Sequence, residues 1–249
     1  MKQVAVFVTV FVALTAGCLA ASSQTCSFTG GEGYVSGALD GQKGWNAMAG
    51  WTVDPSGSGK ITTTTAGQRM IHNDALKMND GESVTFRTEL KLLGTVATPT
   101  ANTELLLLGV RPDADETANP TEFHNTVLSL RAGNVVLRSR SNTAPQATLG
   151  TIAANATNNL AIEYKITLGA SAAASTFDFK IINLDTTLSA SASTNLDSTI
   201  YTALTTGSGV NSYLHSQTFA ANSSGVTGIE MESVQVPGAV RSLKLIVVH

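Results

Sequence analysis

Phe28-Thr29-Gly30-Gly31-Glu32-Gly33-Tyr34-Val35-Ser36-Gly37-Ala38-Leu39-Asp40-Gly41-Gln42-Lys43-Gly44-Trp45 is the stretch on which the fold turns, with Trp51 and Val53 close behind it. Glycines and aromatics alternate here too regularly for an ordinary linker. The chain is only 6% aromatic, so large rings grouped this way read chiefly as core material.

Outward from that stretch the pattern is one of strands. Ser83 to Leu92 alternates, with Val84, Phe86, Leu90 and Leu92 on one face and Arg87, Glu89 and Lys91 on the other. Leu105 to Val110 is continuously apolar, as expected of a strand buried on both faces. Thr126 to Arg131 and Val135 to Ser141 flank Ala132-Gly133-Asn134 as a hairpin. Leu160 to Leu168 and Thr176 to Asn183 form two more strands. Gly228 to Val236 and Arg241 to Val248 read as a closing hairpin around Pro237-Gly238. Asp197 to Leu204 is the one helical candidate, inside a Ser/Thr/Ala-rich stretch from Leu184 to Ser224 that is expected to hold one or two weak strands. Strands at this spacing, with so little helix, predict an all-β antiparallel sandwich.

The opening phrase resembles the start of the concanavalin A-like and laminin-G-like jelly-roll domains of secreted bacterial proteins, "F-x-x-F-E-G-Y-x-x-G-x-L-x-G-Q-x-G-W". Gly81-Glu82-Ser83-Val84-Thr85-Phe86 matches the start of their next strand, and Ser242-Leu243-Lys244-Leu245-Ile246 holds the place of their last. The resemblance implies a jelly roll over residues 22–249 as a single domain. It also implies a binding or adhesion role toward extracellular polysaccharide, and structural calcium of the kind many relatives carry.

The N-terminus supplies an address. Met1-Lys2, the apolar run from Val4, and small residues at Ala16, Gly17, Ala20 and Ala21 read as a signal peptide over residues 1–21. Thr15-Ala16-Gly17-Cys18 is similar to a lipobox, so a lipid on Cys18 is the one route to a membrane. Cys26 is then the single cysteine of the mature chain, which excludes an internal disulfide and leaves stability to the core. About 228 mature residues suit one large all-β domain. A formal net charge of −3 with 13% charged residues offers no basic footprint for nucleic acid.

Several constellations are candidates for chemistry. Arg131, Arg138 and Arg140 share one side of their hairpin by alternation, and three guanidinium groups suit a carboxylated or sulfated glycan. The alternative is a solvated face. Trp45 is a candidate sugar-stacking ring, against a packing role. Asp113, Asp115 and Glu116 form an acidic loop able to supply oxygens to calcium. Glu230 and Glu232, two apart on a strand, have the residue types of a retaining glycosidase, against a plain strand edge. Phe86-Arg87-Thr88-Glu89-Leu90-Lys91 resembles a strand of jelly-roll alginate lyases, but the late tyrosine strand of those enzymes is absent. The expected function is a secreted or surface-attached, non-enzymatic carbohydrate-binding module without a cofactor. The alternatives are a structural coat protein without a sugar site and a glycan-active hydrolase or lyase.

Overall fold

The structure is a computed structural model. It describes residues 21–95, 103–113, 115, 124–131, 134–141, 147–153, 159–217 and 225–238. Residues 1–20, Cys18 and most of the expected signal peptide among them, lie outside this set, as does the expected strand 241–248.

Two antiparallel sheets face each other. The nine-stranded sheet runs, in spatial order, β14 (Ser189–Asn195), β13 (Thr176–Asn183), β12 (Asn159–Thr167), β7 (Ser83–Gly94), β16 (Val226–Pro237), β5 (Lys60–Thr63), β4 (Thr52–Asp54) and β2 (Gly37–Ala38), with β1 (Ser23–Cys26) added beside β16. The seven-stranded sheet runs β11 (Ala147–Ala153), β10 (Asn134–Ser141), β9 (His124–Arg131), β8 (Thr103–Arg111), β15 (Val210–Ser216), β6 (Arg69–Leu76) and β3 (Trp45–Ala47). The fold is the expected jelly-roll sandwich, and among the described residues no helix is long and apolar enough to cross a membrane.

Alternation builds the core. In β7, Val84, Phe86, Leu90 and Leu92 are buried, and Thr88 is buried with them. Leu106, Leu108 and Val110 of β8, Leu128 and Leu130 of β9, and Val135 and Leu137 of β10 meet them from the facing sheet in one apolar cluster. Each such side chain, moved out of water, contributes about 1.5–3 kcal/mol. β9 and β10 pair Arg131 with Asn134, which makes the expected hairpin.

The opening stretch packs over one end. Phe28, Tyr34 and Trp45 are buried against one another, with ring centroids 5.3 Å and 6.1 Å from Phe28, and the Trp45 indole N–H donates to the Tyr34 hydroxyl at 3.0 Å. Phe28 sits at φ 57°, and Gly59, also left-handed, presses so close that a Cβ there would lie 2.4 Å from the Ser27 carbonyl oxygen. Cys26 is buried and free, and burial pushes its thiol up to about 11.

The expected helix is α1 (Ser198–Thr205), whose cap Asp197 accepts from the Thr199 N–H at 2.8 Å. The backbone N–H of that cap donates to Nδ1 of His124 at 3.2 Å, and His124 stacks on Phe177 at 4.2 Å. A ring nitrogen that accepts must be unprotonated, and burial takes the His124 pKa down to about 4. An unfolded histidine titrates near 6.5, so between the two values the unfolded chain binds the extra proton and acid destabilises the fold. This residue alone is expected to cost on the order of 3 kcal/mol once the pH is below its folded value. Urea midpoints at pH 7 and pH 4.5 check this: His124→Gln should show a smaller acid-side loss than the parent, and an identical loss refutes the assignment.

Candidate functional site

The strand registers carry one polar row across the outer face of the seven-stranded sheet. Asn46 of β3 pairs with Ile71 of β6, Ile71 with Tyr213 of β15, Tyr213 with Gly109 of β8, Gly109 with Asn125 of β9, and Asn125 with Arg140 of β10. A second row, one step along, runs Arg69, His215, Leu107, Val127 and Arg138. Directly opposed residues share a face, so these positions form a continuous surface turned away from the core. Gly109 keeps the middle of it low: a Cβ there would lie 2.2 Å from the His124 carbonyl oxygen and 2.7 Å from the Asn125 Cβ.

This face mixes polar residues with the buried Ile71, Leu107 and Val127, and it is largely removed from solvent. Arg111, Asn125 and Ser129 are fully buried and Tyr213 is 1% exposed, whereas Arg69 and His215 are only half-buried. The Arg111 guanidinium carbon stands 5.2 Å from the Tyr213 ring centroid, and the group is ion-paired to Asp113. Arg138 is ion-paired to Glu104. Burial raises the Tyr213 phenol, against the pull of the Arg69 and Arg111 cations. His215 falls to about 4, through burial first and the Arg69 charge second, so its imidazole is neutral at ordinary pH. Both amide atoms of Asn125 and the Ser129 hydroxyl find no hydrogen-bond partner among the described residues. Buried groups left unpaired cost about 1–3 kcal/mol each, so several on one face require an explanation.

The sequence-derived candidates are distributed unevenly over this geometry. Positions 131, 138 and 140 share the outer face by register, as alternation predicts. Trp45 does not belong to it and cannot serve as a stacking platform. It pairs with His72 on the core side, is wholly buried, and meets that ring edge-on at 4.9 Å. Of the acidic loop, Asp113 is held by Arg111 and accepts from the Asp115 N–H at 3.2 Å, while Glu116 lies outside the described residues. Among the described residues no three His, Cys, Asp or Glu side chains group as metal ligands.

Glu230 and Glu232 lie on the nine-stranded sheet, where Lys60 binds Glu230 at 2.9 Å and the register breaks between Met231 and Ser233. That break upsets the simple alternation on which a shared face depends. Arg87 of the same sheet bridges Glu89, at 2.8 Å, and Glu163. A depression of 510 Å³ on that sheet is lined by Glu163, Lys165, Asp178 and Lys180, whose charges alternate in sign.

Sequence reasoning missed Arg69, Arg111, Asn125, Tyr213 and His215. A signal was present in Asn211-Ser212-Tyr213-Leu214-His215, where polar and ring residues recur at every second position of a strand. It was obscured because the stretch around it reads as a loop with weak strands.

No family model matches the chain, and no curated protein matches it. Solved structures do. Arcelin-5, a lectin-like defense protein from Phaseolus vulgaris, is 9% identical with a TM-score of 0.57, over 90% of this chain and 100% of that one. The CBM2 module of the evolved Dit of Lactobacillus casei BL23 phage J-1 is 9% identical with a TM-score of 0.55, over 91% and 100%. Lectin I from Ulex europaeus, in complex with the methyl glycoside of α-L-fucose, is 9% identical with a TM-score of 0.54, over 87% and 98%. A glycoside hydrolase of which the chain covers 42% is also among the matches. At such identities the likeness is one of fold, that of a jelly-roll sandwich.

If Asn125 and Ser129 are kept for a ligand rather than for stability, removing their unpaired polar atoms should not harm the fold. Ser129→Ala and Asn125→Leu are expected to leave the melting temperature unchanged or raise it, by up to about 1 kcal/mol of stability, while weakening ligand binding. A marked drop in melting temperature for both would mean that these groups are structural.

Proposed function

We propose that the protein is a secreted or surface-attached binding and adhesion module for extracellular carbohydrate, and that the sugar lies on the outer face of the seven-stranded sheet. The observation that carries this reading is the half-buried pair Arg69 and His215 on that face, beside the fully buried polar groups of Asn125 and Ser129, which find no partner among the described residues. A saccharide presents many hydroxyls that both donate and accept, which is what an amide and a hydroxyl without partners among the described residues can use. The half-buried His215 ring, whose centroid lies 6.1 Å from that of the buried Tyr213, adds flat surface against which a pyranose can pack. The likeness in fold to lectins and to a CBM2 module supports the same reading.

Binding rather than turnover is the role we assign. The acid pair considered for hydrolysis is on the other sheet, with Glu230 tied to Lys60. The signal peptide over residues 1–21, with cleavage or with a lipid on Cys18, is the address we propose. No cofactor is required for binding, and structural calcium at Asp113 and Asp115 remains a separate arm of the test.

A glycan array probed with the purified protein, with and without about 1 mM calcium, tests the function. Selective, saturable binding that is lost in His215→Ala and retained in Glu230→Gln is the expected result. A blank array from folded protein overturns it in favour of a structural coat protein, and glycan turnover abolished in Glu230→Gln overturns it in favour of an enzyme.

A further inference from the structure

The outer face of the nine-stranded sheet carries a checkerboard of charge. β12 and β13 pair Glu163 with Lys180 and Lys165 with Asp178, so two acids lie on one diagonal and two lysines on the other. Their strand neighbours Tyr164, Ile166, Phe177 and Phe179 are buried, which turns all four charged residues outward. Opposed residues of unlike charge on such a face ordinarily attract each other across the strands. Here the acids are engaged elsewhere. The Glu163 carboxylate is taken by the Arg87 guanidinium of β7, which also holds Glu89 at 2.8 Å. The Asp178 carboxylate accepts from the Ser193 hydroxyl of β14 and, at 3.2 Å, from the Thr176 hydroxyl. Among the described residues no carboxylate stands within 4.0 Å of the Lys165 or the Lys180 ammonium.

Both lysines border the same depression of 510 Å³, with Ser191 and Ser193 of β14 also lining it. That volume is in the range of small-molecule sites, roughly 300–1,000 Å³. Lys165 is exposed and Lys180 half-buried, so both are open to a ligand. Diagonal neighbours on paired strands stand about 7–8 Å apart, within reach of two long flexible stems, and their heads can converge on one group. An ammonium offers three donors on a rotating head and no planar fork. Two of them, reaching in from adjacent strands, suit the divergent oxygens of a tetrahedral anion better than the flat edge of a carboxylate.

We propose that this depression binds a small polar molecule through a phosphate or sulfate group held between Lys165 and Lys180. Arg87, Ser193 and Thr176 serve the site by keeping the two acids from neutralising the lysines. The exposed Ser191 hydroxyl is placed to bond the rest of the molecule. The site is on the opposite sheet from the carbohydrate face proposed above and does not rest on that reading.

The test titrates the purified protein with inorganic phosphate, inorganic sulfate and acetate at constant ionic strength, followed by the chemical shifts of the lysine side chains. Saturable shifts of Lys165 and Lys180 with phosphate assign phosphate, and with sulfate assign sulfate; either supports the proposal if acetate binds at least about fivefold more weakly. Lys165→Gln and Lys180→Gln are each expected to weaken binding by about fivefold or more with the melting temperature unchanged. Arg87→Gln, which frees Glu163 to pair with Lys180, is expected to weaken binding by about threefold, and adding Glu163→Gln should restore it. Lys60→Gln, at a lysine already paired to Glu230, and His215→Ala, on the other sheet, should bind as the parent does. Acetate binding as tightly as both tetrahedral anions overturns the assignment of the ligand. An equal loss in Lys60→Gln reduces the effect to general surface charge and overturns the site. A loss in Arg87→Gln that Glu163→Gln does not repair overturns the part given to Arg87. Failure of folded protein to bind phosphate or sulfate overturns the proposal and leaves the carbohydrate reading standing.

Discussion

Burial of the middle strands of the seven-stranded sheet on both faces is the constraint on which the rest depends. Inner residues of β8, β9 and β10 pack between the sheets in the ordinary way, as Leu108, Leu128 and Leu137 do. Outer residues of the same strands are also withdrawn from solvent, and several of them are polar: Arg111, Asn125 and Ser129. Among the described residues the Asn125 amide and the Ser129 hydroxyl find no partner and so cost stability, whereas Arg111 is ion-paired to Asp113. The two sheets thereby differ in kind. One displays half-exposed ion pairs such as Lys60–Glu230 and Arg87–Glu89 on its outside, and the other carries desolvated polar groups beside the ion pairs Arg111–Asp113 and Arg138–Glu104.

Such a division needs a rigid frame, and the chain provides one without a disulfide. The opening stretch locks Phe28, Tyr34 and Trp45 into the core, and pushes Cys26 so far toward its neutral thiol that it acts as a small apolar side chain. At the other end the cap of α1 is tied to His124 of β9, which links the segment entering β15 to the strand that bears Asn125. Two residues of the polar face, Tyr213 and Asn125, are therefore carried by strands fastened to each other through the core-side histidine as well as through Gly109 of β8 between them.

Trp45 and Tyr213 show how legibility was divided. Both are aromatic residues on short strands, and from composition alone the tryptophan was the more attractive sugar platform. The difference between them is one of facing: Trp45 pairs with His72 toward the core, and Tyr213 pairs with Ile71 away from it. The arginine cluster was half legible, because positions 131, 138 and 140 belong to one hairpin whose two-residue period can be read locally. Arg69 and Arg111 join them only because β6 and β8 are brought beside β15.

From sequence alone, alternation in β7, the apolar run of β8 and the glycine–aromatic phrase from Phe28 to Trp45 determined that this chain is a jelly-roll sandwich, and residues 1–21 its expected address. These are local properties, since the side-chain period and the apolar burial it requires need no knowledge of which strands become neighbours. The tertiary structure alone decided which polar residues share a face. Strands far apart in the chain, β6, β8, β9, β10 and β15, become adjacent only through sheet order, and shifts of register between Asn211 and Tyr213 and between Glu104 and Leu106 decide which residues face out together. A shift of one residue would turn Tyr213 toward the core and Leu214 toward solvent, so the polar face follows from pairing rather than from composition.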